Sequence, residues 1–228
     1  MTFCIQFNRL VLLATFFAGH AVAASGGCGS LANGVGPWDY RTGKDKLAIV
    51  EKYHFDSGVE TLARGVSSTN IAGDIDYVLR ASPNHHRALM AMMKLGLRNK
   101  SERIRGAGHS VYCYMERAER FQPDDAMVKV IFGLYYLNAG KSDEAIEKLE
   151  EARGLDSSNA NVNYNLGLAY LRVRNYDKAL ESAHAAYRLG FPLPGLRRQL
   201  EQAGRWKAPA PEASPAGAEP ELEAQEKN

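Results

Sequence analysis

Five side chains able to bind a metal fall within nine positions: His85, His86, Met90, Met92 and Met93. Imidazole and thioether are soft ligands of the kind that select copper(I). His86, Met90 and Met93 follow one another at spacings of four and three, so a helix would place them on one face. A core stripe has the same spacing, and methionine commonly fills irregular gaps between helices. A soft-metal carrier using the His85 to Met93 cluster is therefore the alternative function, and no residue is assigned as a metal ligand. His109 and Cys113, four apart, form the best thiol–histidine pair in the chain, but a thiol in an oxidising compartment is more readily bridged than catalytic. No serine elbow, His-Glu-x-x-His zinc motif or phosphate loop occurs. The chain is not expected to be an enzyme, and no cofactor is implied.

The elements that hold these residues belong to a chain of 228 residues, which suits one folded body with appendages and buries roughly 70% of its unfolded surface. The formal charge is +2, with Arg9 the only charge in residues 1–23 and a net −3 in the last 22 residues. About +4 is left on the body, too little to hold a polyanion, so nucleic acid is not an expected partner.

Residues 1–23 run from a weakly basic start ending at Arg9, through an apolar stretch from Leu10 to Gly19, to Ala21-Val22-Ala23. This pattern is that of a signal peptide cleaved after Ala23. The apolar run is about half of the ~20 residues that a membrane span needs, so no transmembrane helix is expected in the mature chain. Cleavage would remove Cys4 and leave Cys28 and Cys113, an even pair that fits export to an oxidising compartment. A disulfide between them would staple the glycine-rich run from Cys28 to Tyr40 onto the helix that carries Cys113. The alternative is a buried Cys113 beside a free or lipidated Cys28. Against lipidation, Ser25-Gly26-Gly27 lacks an aliphatic residue three positions before Cys28.

From 24 to 83 the chain has an irregular segment and short helical stretches, with Leu47, Val50 and Tyr53 and then Ile75, Val78 and Leu79 as apolar stripes. Between Ala126 and Pro192 one unit of 34 residues is written twice. Gly133, Tyr136, Ala145, Ala152 and Leu155 recur as Gly167, Tyr170, Ala179, Ala186 and Leu189. Small residues belong where helices cross closely, so Gly133 is expected to face Ala145, and Gly167 to face Ala179, each inside its own hairpin. Asn138-Ala139-Gly140-Lys141 and Arg174-Asn175 supply the turns. An earlier unit spans Asn84 to Phe121 and is about six residues too long, the excess falling in the basic loop 98–108. After Gly190-Phe191-Pro192-Leu193-Pro194, a last helix offers Leu196, Leu200 and Ala203 to cover the open end. Residues 206–228 are rich in Pro, Ala, Glu and Ser, a composition expected to stay disordered.

A 34-residue period with these small and aromatic positions resembles the tetratricopeptide repeat family. The match covers residues 84–193, and where the family often has tryptophan this chain has Lys129 and Asn163. The resemblance implies an all-α fold: a right-handed solenoid of about three helix pairs over residues 84–205, with an N-terminal helical extension and a C-terminal capping helix. The runs Cys28-Gly29-Ser30-Leu31, Gly36-Pro37-Trp38-Asp39-Tyr40, Gly73-Asp74-Ile75-Asp76-Tyr77 and Pro83-Asn84-His85-His86-Arg87-Ala88-Leu89 also resemble exported bacterial tetratricopeptide proteins of unassigned activity, which implies the periplasm.

Relatives that clamp chaperone tails line the groove with basic and amide side chains. The corresponding positions here are Asn161, Asn165 and Ile131, so that clamp is absent. By the same resemblance the concave face is expected to present Val130, Leu134, Leu137, Tyr164, Leu168 and Leu171, with Arg172 at the edge. An apolar groove of this kind suits an amphipathic helix or an extended apolar peptide, unless the N-terminal segment or the cap covers it. The function this implies is a periplasmic adaptor for a protein or peptide partner, compatible with a place in a cell-envelope assembly.

Overall fold

The computed structural model describes residues 27–67 and 70–209; the expected signal peptide, 1–23, and residues 210–228 of the tail expected to be disordered from 206 lie outside them, whereas Trp206 packs on His184 and Tyr187. Among the described residues ten helices follow one another: α1 Lys44–His54, α2 Ser57–Glu60, α3 Ile71–Ala81, α4 His86–Asn99, α5 Val111–Phe121, α6 Ala126–Asn138, α7 Ser142–Leu155, α8 Ala160–Arg172, α9 Tyr176–Arg188 and α10 Gly195–Gln202. The side chains of Asn70, His85, Ser110, Asp125, Asn159 and Asn175 each accept a hydrogen bond from a first-turn backbone N–H. These caps satisfy donors that have no partner inside the helix and fix where each one starts. Gly140 at φ +77° and Arg174 at φ +59° fill equivalent turn positions in the two hairpins. Glycine takes that left-handed conformation freely, whereas an arginine bears a steric cost there.

Helices α6 and α7 form one hairpin, and α8 and α9 form the next. A Cβ built on Gly133 would lie 2.7 Å from Leu149 Cγ and 3.3 Å from the Ala145 carbonyl. One built on Gly167 would meet Leu196 of α10 first, then Ser182 Cβ at 3.3 Å and the Ala179 carbonyl at 3.4 Å. The glycines therefore set how closely the helices of each hairpin approach. Two apolar clusters result. One joins α1 to α6 through Val50, Ile75, Leu89, Met92, Met115 and Phe132; the other joins α6 to α10 through Val130, Leu149, Val162, Leu166, Tyr170 and Leu196. Leu196 and Leu200 close the C-terminal end fully buried. Ala203, expected beside them, is exposed because α10 ends at Gln202 and the chain turns away.

The two departures from the family tryptophan have separate jobs. Lys129 is buried between Glu119 of α5 and Glu151 of α7, its Nζ 2.5 Å from Glu151 Oε2, and Lys148 binds the same two carboxylates at 2.8 and 3.0 Å. A buried ammonium needs such partners to offset its lost hydration. Asn163 donates to the carbonyls of Ser157 and Asn159 at 2.9 and 3.0 Å, binding the start of α8 to the preceding turn.

The N-terminal segment lies against α3 and α5. Cys28 and Cys113 are joined by a disulfide with their Cα atoms 5.1 Å apart. The buried Arg117 donates to the Cys28 carbonyl at 3.1 Å and the Ser30 carbonyl at 2.5 Å, and Arg120 donates to the Gly29 carbonyl at 2.6 Å. Further along, Trp38 N donates to the Ala81 carbonyl at 2.9 Å, and Arg41 bridges Asp39 and Asp124 at 2.8 and 3.1 Å. The inserted loop is fixed too: Gly108 N donates to Asp76 Oδ1 at 3.1 Å, and Ile104 is buried.

Four outcomes follow from this packing. Gly133→Leu is expected to cost ~1 to 3 kcal/mol by overpacking, measured by urea denaturation. Gly167→Ala should cost less than Gly133→Ala, since its first obstruction is the flexible end of Leu196 rather than a branch carbon. Non-reducing mass spectrometry should find one linked peptide pair carrying Cys28 and Cys113; two alkylatable thiols would contradict the structure. Reduction should remove up to about 4.6 kcal/mol, the chain-entropy limit for a loop of this length.

Candidate functional site

Helices α4, α6 and α8 pack side by side as the inner layer. Between α6 and α8, next to α10, lies a cavity of about 410 Å³ lined by Leu134, Leu137, Asn138, Leu168, Leu171, Arg172 and Gln199. Five of the seven expected groove residues meet there. Val130 does not line the cavity: it is 1% exposed, directed into the core among α7 and α8. Tyr164 is half-buried, its ring stacked on Phe191 at 3.9 Å, so the turn after α9 covers it. Asn138 and Gln199 were missed because a turn residue and a cap residue sit outside the apolar stripes of the repeat. The N-terminal segment leaves this cavity open, since its bonds run to α3, α5 and the turn before α6.

A second cavity, of about 300 Å³, lies on the other side of the last turn of α6. Met93, Gly96, Leu97, Lys100, Ser101, Glu102, Val111, Tyr135, Asn138 and Ala139 line it. Glu102 is held by the Tyr135 hydroxyl at 2.9 Å and Tyr112 N at 3.1 Å. Burial and then that carboxylate push the Tyr135 phenol well above its ordinary range, so the phenol remains a donor at any physiological pH. Arg172 is exposed and takes part in no ion pair among the described residues.

The fold splits the His and Met cluster only in part: His86 and Met90 line one shallow cavity with Met127, while His85, Met92 and Met93 are buried. His85 is fully buried; its Nδ1 accepts from Ala88 N at 3.1 Å and its Nε2 lies 2.8 Å from Glu51 Oε1. His86 Nε2 lies 2.8 Å from Asp125 Oδ2. Met92 and Met93 are core residues, while Met90 is half-buried beside Arg87 and Lys94. Among the described residues, no group of three or more His, Cys, Asp or Glu could hold a metal ion. Cys113 is bonded to Cys28, and His109 precedes α5 with its ring against Tyr114 at 5.5 Å, so the thiol–histidine pair offers no nucleophile.

Burial lowers the His85 imidazole from 6.5 to about 4, against the opposing pull of Glu51. Folded His85 therefore holds its proton less tightly than unfolded His85, and the unfolded chain binds more protons between those two values. Stability is fully present above pH 6.5 and is lost as pH falls toward 4. Denaturation curves should show a loss on the order of 2 kcal/mol from this group by pH 4.5. His85→Asn keeps a side-chain acceptor for Ala88 N, so the variant should fold with a shallower acid slope; an unchanged slope would refute the assignment.

Residues 133–174 match the family described as TPR repeat. Among solved structures, similarity extends to TTC0263, a thermophilic TPR protein of Thermus thermophilus, at 22% identity and a TM-score of 0.47, covering 70% of this chain and 75% of that one. A MamA protein designated MSR-1 C2 is similar at 15% identity and a TM-score of 0.43, covering 63% of this chain and 74% of that one. No curated protein matches the sequence. Residues 133–174 are thus tetratricopeptide repeat sequence, set within repeated hairpins of an all-helical, layered fold.

Proposed function

We propose that this chain is an exported adaptor that holds a protein partner in the groove between α6 and α8, acting in the periplasm and within a cell-envelope assembly. The observation that carries this reading is the cavity floored by Leu134, Leu137, Leu168 and Leu171 with Arg172 at its edge. Leu137 is buried, while Leu134, Leu168 and Leu171 are left half-covered and gain by burial against another chain, at roughly 25 cal/mol per Å² before the cost of association. The signal-like residues 1–23 support export, and a Cys28–Cys113 disulfide fits an oxidising compartment. Tetratricopeptide solenoids serve as protein-binding scaffolds, and no reactive constellation among the described residues suggests chemistry instead.

Leu168→Glu and, separately, Leu171→Glu should abolish capture of the partner while helical circular dichroism and melting stay close to the parent. Undiminished capture by both folded variants would overturn the groove reading. Fractionation of the producing cell tests the compartment: the mature chain, beginning at Ala24, is expected in the periplasmic fraction.

A further inference from the structure

Resting on that reading, we infer that the groove is bipartite and takes an extended segment of a partner protein, with two large apolar side chains and one acidic group at the Arg172 end. The two cavities share Asn138 as a common wall, one opening between α4 and α6, the other between α6 and α8. Neighbouring helices lie 8–10 Å apart, and an extended chain advances about 3.3 Å per residue. Anchors three residues apart, which share a face about 9 Å apart when the chain is extended in the polyproline II form with three residues per turn, would therefore enter both cavities. Met93, Leu97 and Val111 receive one; Leu137, Leu168 and Leu171 receive the other.

Asn138, exposed on the ridge between the cavities, offers an acceptor that an extended occupant can use and a helical one cannot. Its Nδ2 donates to the Leu134 carbonyl at 2.8 Å, and its Oδ1 accepts from nothing among the described residues. An extended segment crossing this ridge presents backbone N–H groups to that oxygen, whereas a helix has already used its own. The charges give direction. At the first cavity Glu102 is satisfied by Tyr135 and Tyr112 and has Lys100 nearby. At the second, Arg172 stands uncompensated beside Gln199.

Segments of this chain itself are poor occupants. Residues 210–228 carry Leu222 as their one large apolar side chain, too few for two cavities. The N-terminal segment is tied to α5 by the disulfide and Arg117.

The test uses the full chain in the cells that make it, with photoreactive benzoylphenylalanine at Leu97 or at Gln199, both exposed positions lining the two cavities. Irradiation is followed by sequencing of the attached peptides. The expected result is that both positions mark the same short stretch of one partner, within about ten residues of each other, with Asp or Glu toward the Gln199 mark. Arg172→Glu should reduce both yields about tenfold, the loss of one charge-assisted pair, and Arg172→Lys should retain most of the yield. Attachment from Gln199 alone, or to stretches far apart, would overturn the bipartite site while leaving an adaptor groove. Attachment to Leu222 of this chain or to a second copy would overturn the partner assignment. Equal yields for Arg172→Glu would remove the acidic group, and no attachment from either position would refute both this inference and the adaptor reading.

Discussion

The close approach of paired helices at Gly133 and Gly167 is the constraint on which the rest of the molecule depends. At Gly133 the space a Cβ would need is already filled by Leu149, and at Gly167 by Leu196 and Ser182. Because α7 comes so near, α6 is covered on several sides, and its residues enter both apolar clusters: Ile131 and Phe132 toward the N-terminal one, Val130 and Leu137 toward the other. A helix surrounded in this way has little room for a polar face. The one buried charge it carries, Lys129, is matched by carboxylates from the helices on either side. Repeat architectures transmit such packing from each unit to its neighbours, so one hairpin spacing fixes where the next begins.

The ends of the stack obey the same rule by different means. At the C-terminal end Leu196 and Leu200 of α10 cover α8 and α9, and Trp206 packs edge-on against His184 and Tyr187 at 5.1 and 6.1 Å. At the N-terminal end the cover is an irregular segment, and covalent and polar ties replace helix packing. Gly36, at φ +82°, sits so close to the Ala81 carbonyl that a side chain would collide with it. Asn84 donates to Asp39 at 2.7 Å and to the buried Asp125 at 2.9 Å, and Arg41, followed by Asn84, holds the Asp39 carboxyl down at about 2 despite partial burial. The groove stays open because these covers attach elsewhere. Its leucines lie toward the C-terminal ends of α6 and α8, where α10 reaches only as far as Gln199.

The hairpins were legible from the sequence because five paired positions repeat at one period, and only a repeated packing environment imposes that. The disulfide was legible for a simpler reason: subtracting Cys4 leaves two thiols, although nothing in the spacing could set Cys28 beside the first turn of α5. The groove was half legible. Val130, Leu134 and Leu137 all belong to the apolar surface of α6, and a stripe does not tell which members face a neighbour helix and which face solvent. The structure places Val130 in the core and leaves Leu134 half-covered. Tyr164 was lost to the groove through Phe191, a turn residue far along the chain.

Sequence alone therefore determined the elements and their repeat, because helix periodicity, turn residues and small crossing positions are local properties that each stretch carries within itself. The tertiary structure decided how those elements are used: which leucines stay open, that His85 is a buried cap bonded to Glu51, that Lys129 joins three helices, and that Asn138 stands between two cavities. Each of these depends on side chains brought together from distant positions, and the same residue types would be equally at home in a core, a cap or a binding surface until the packing of neighbouring helices assigns them one.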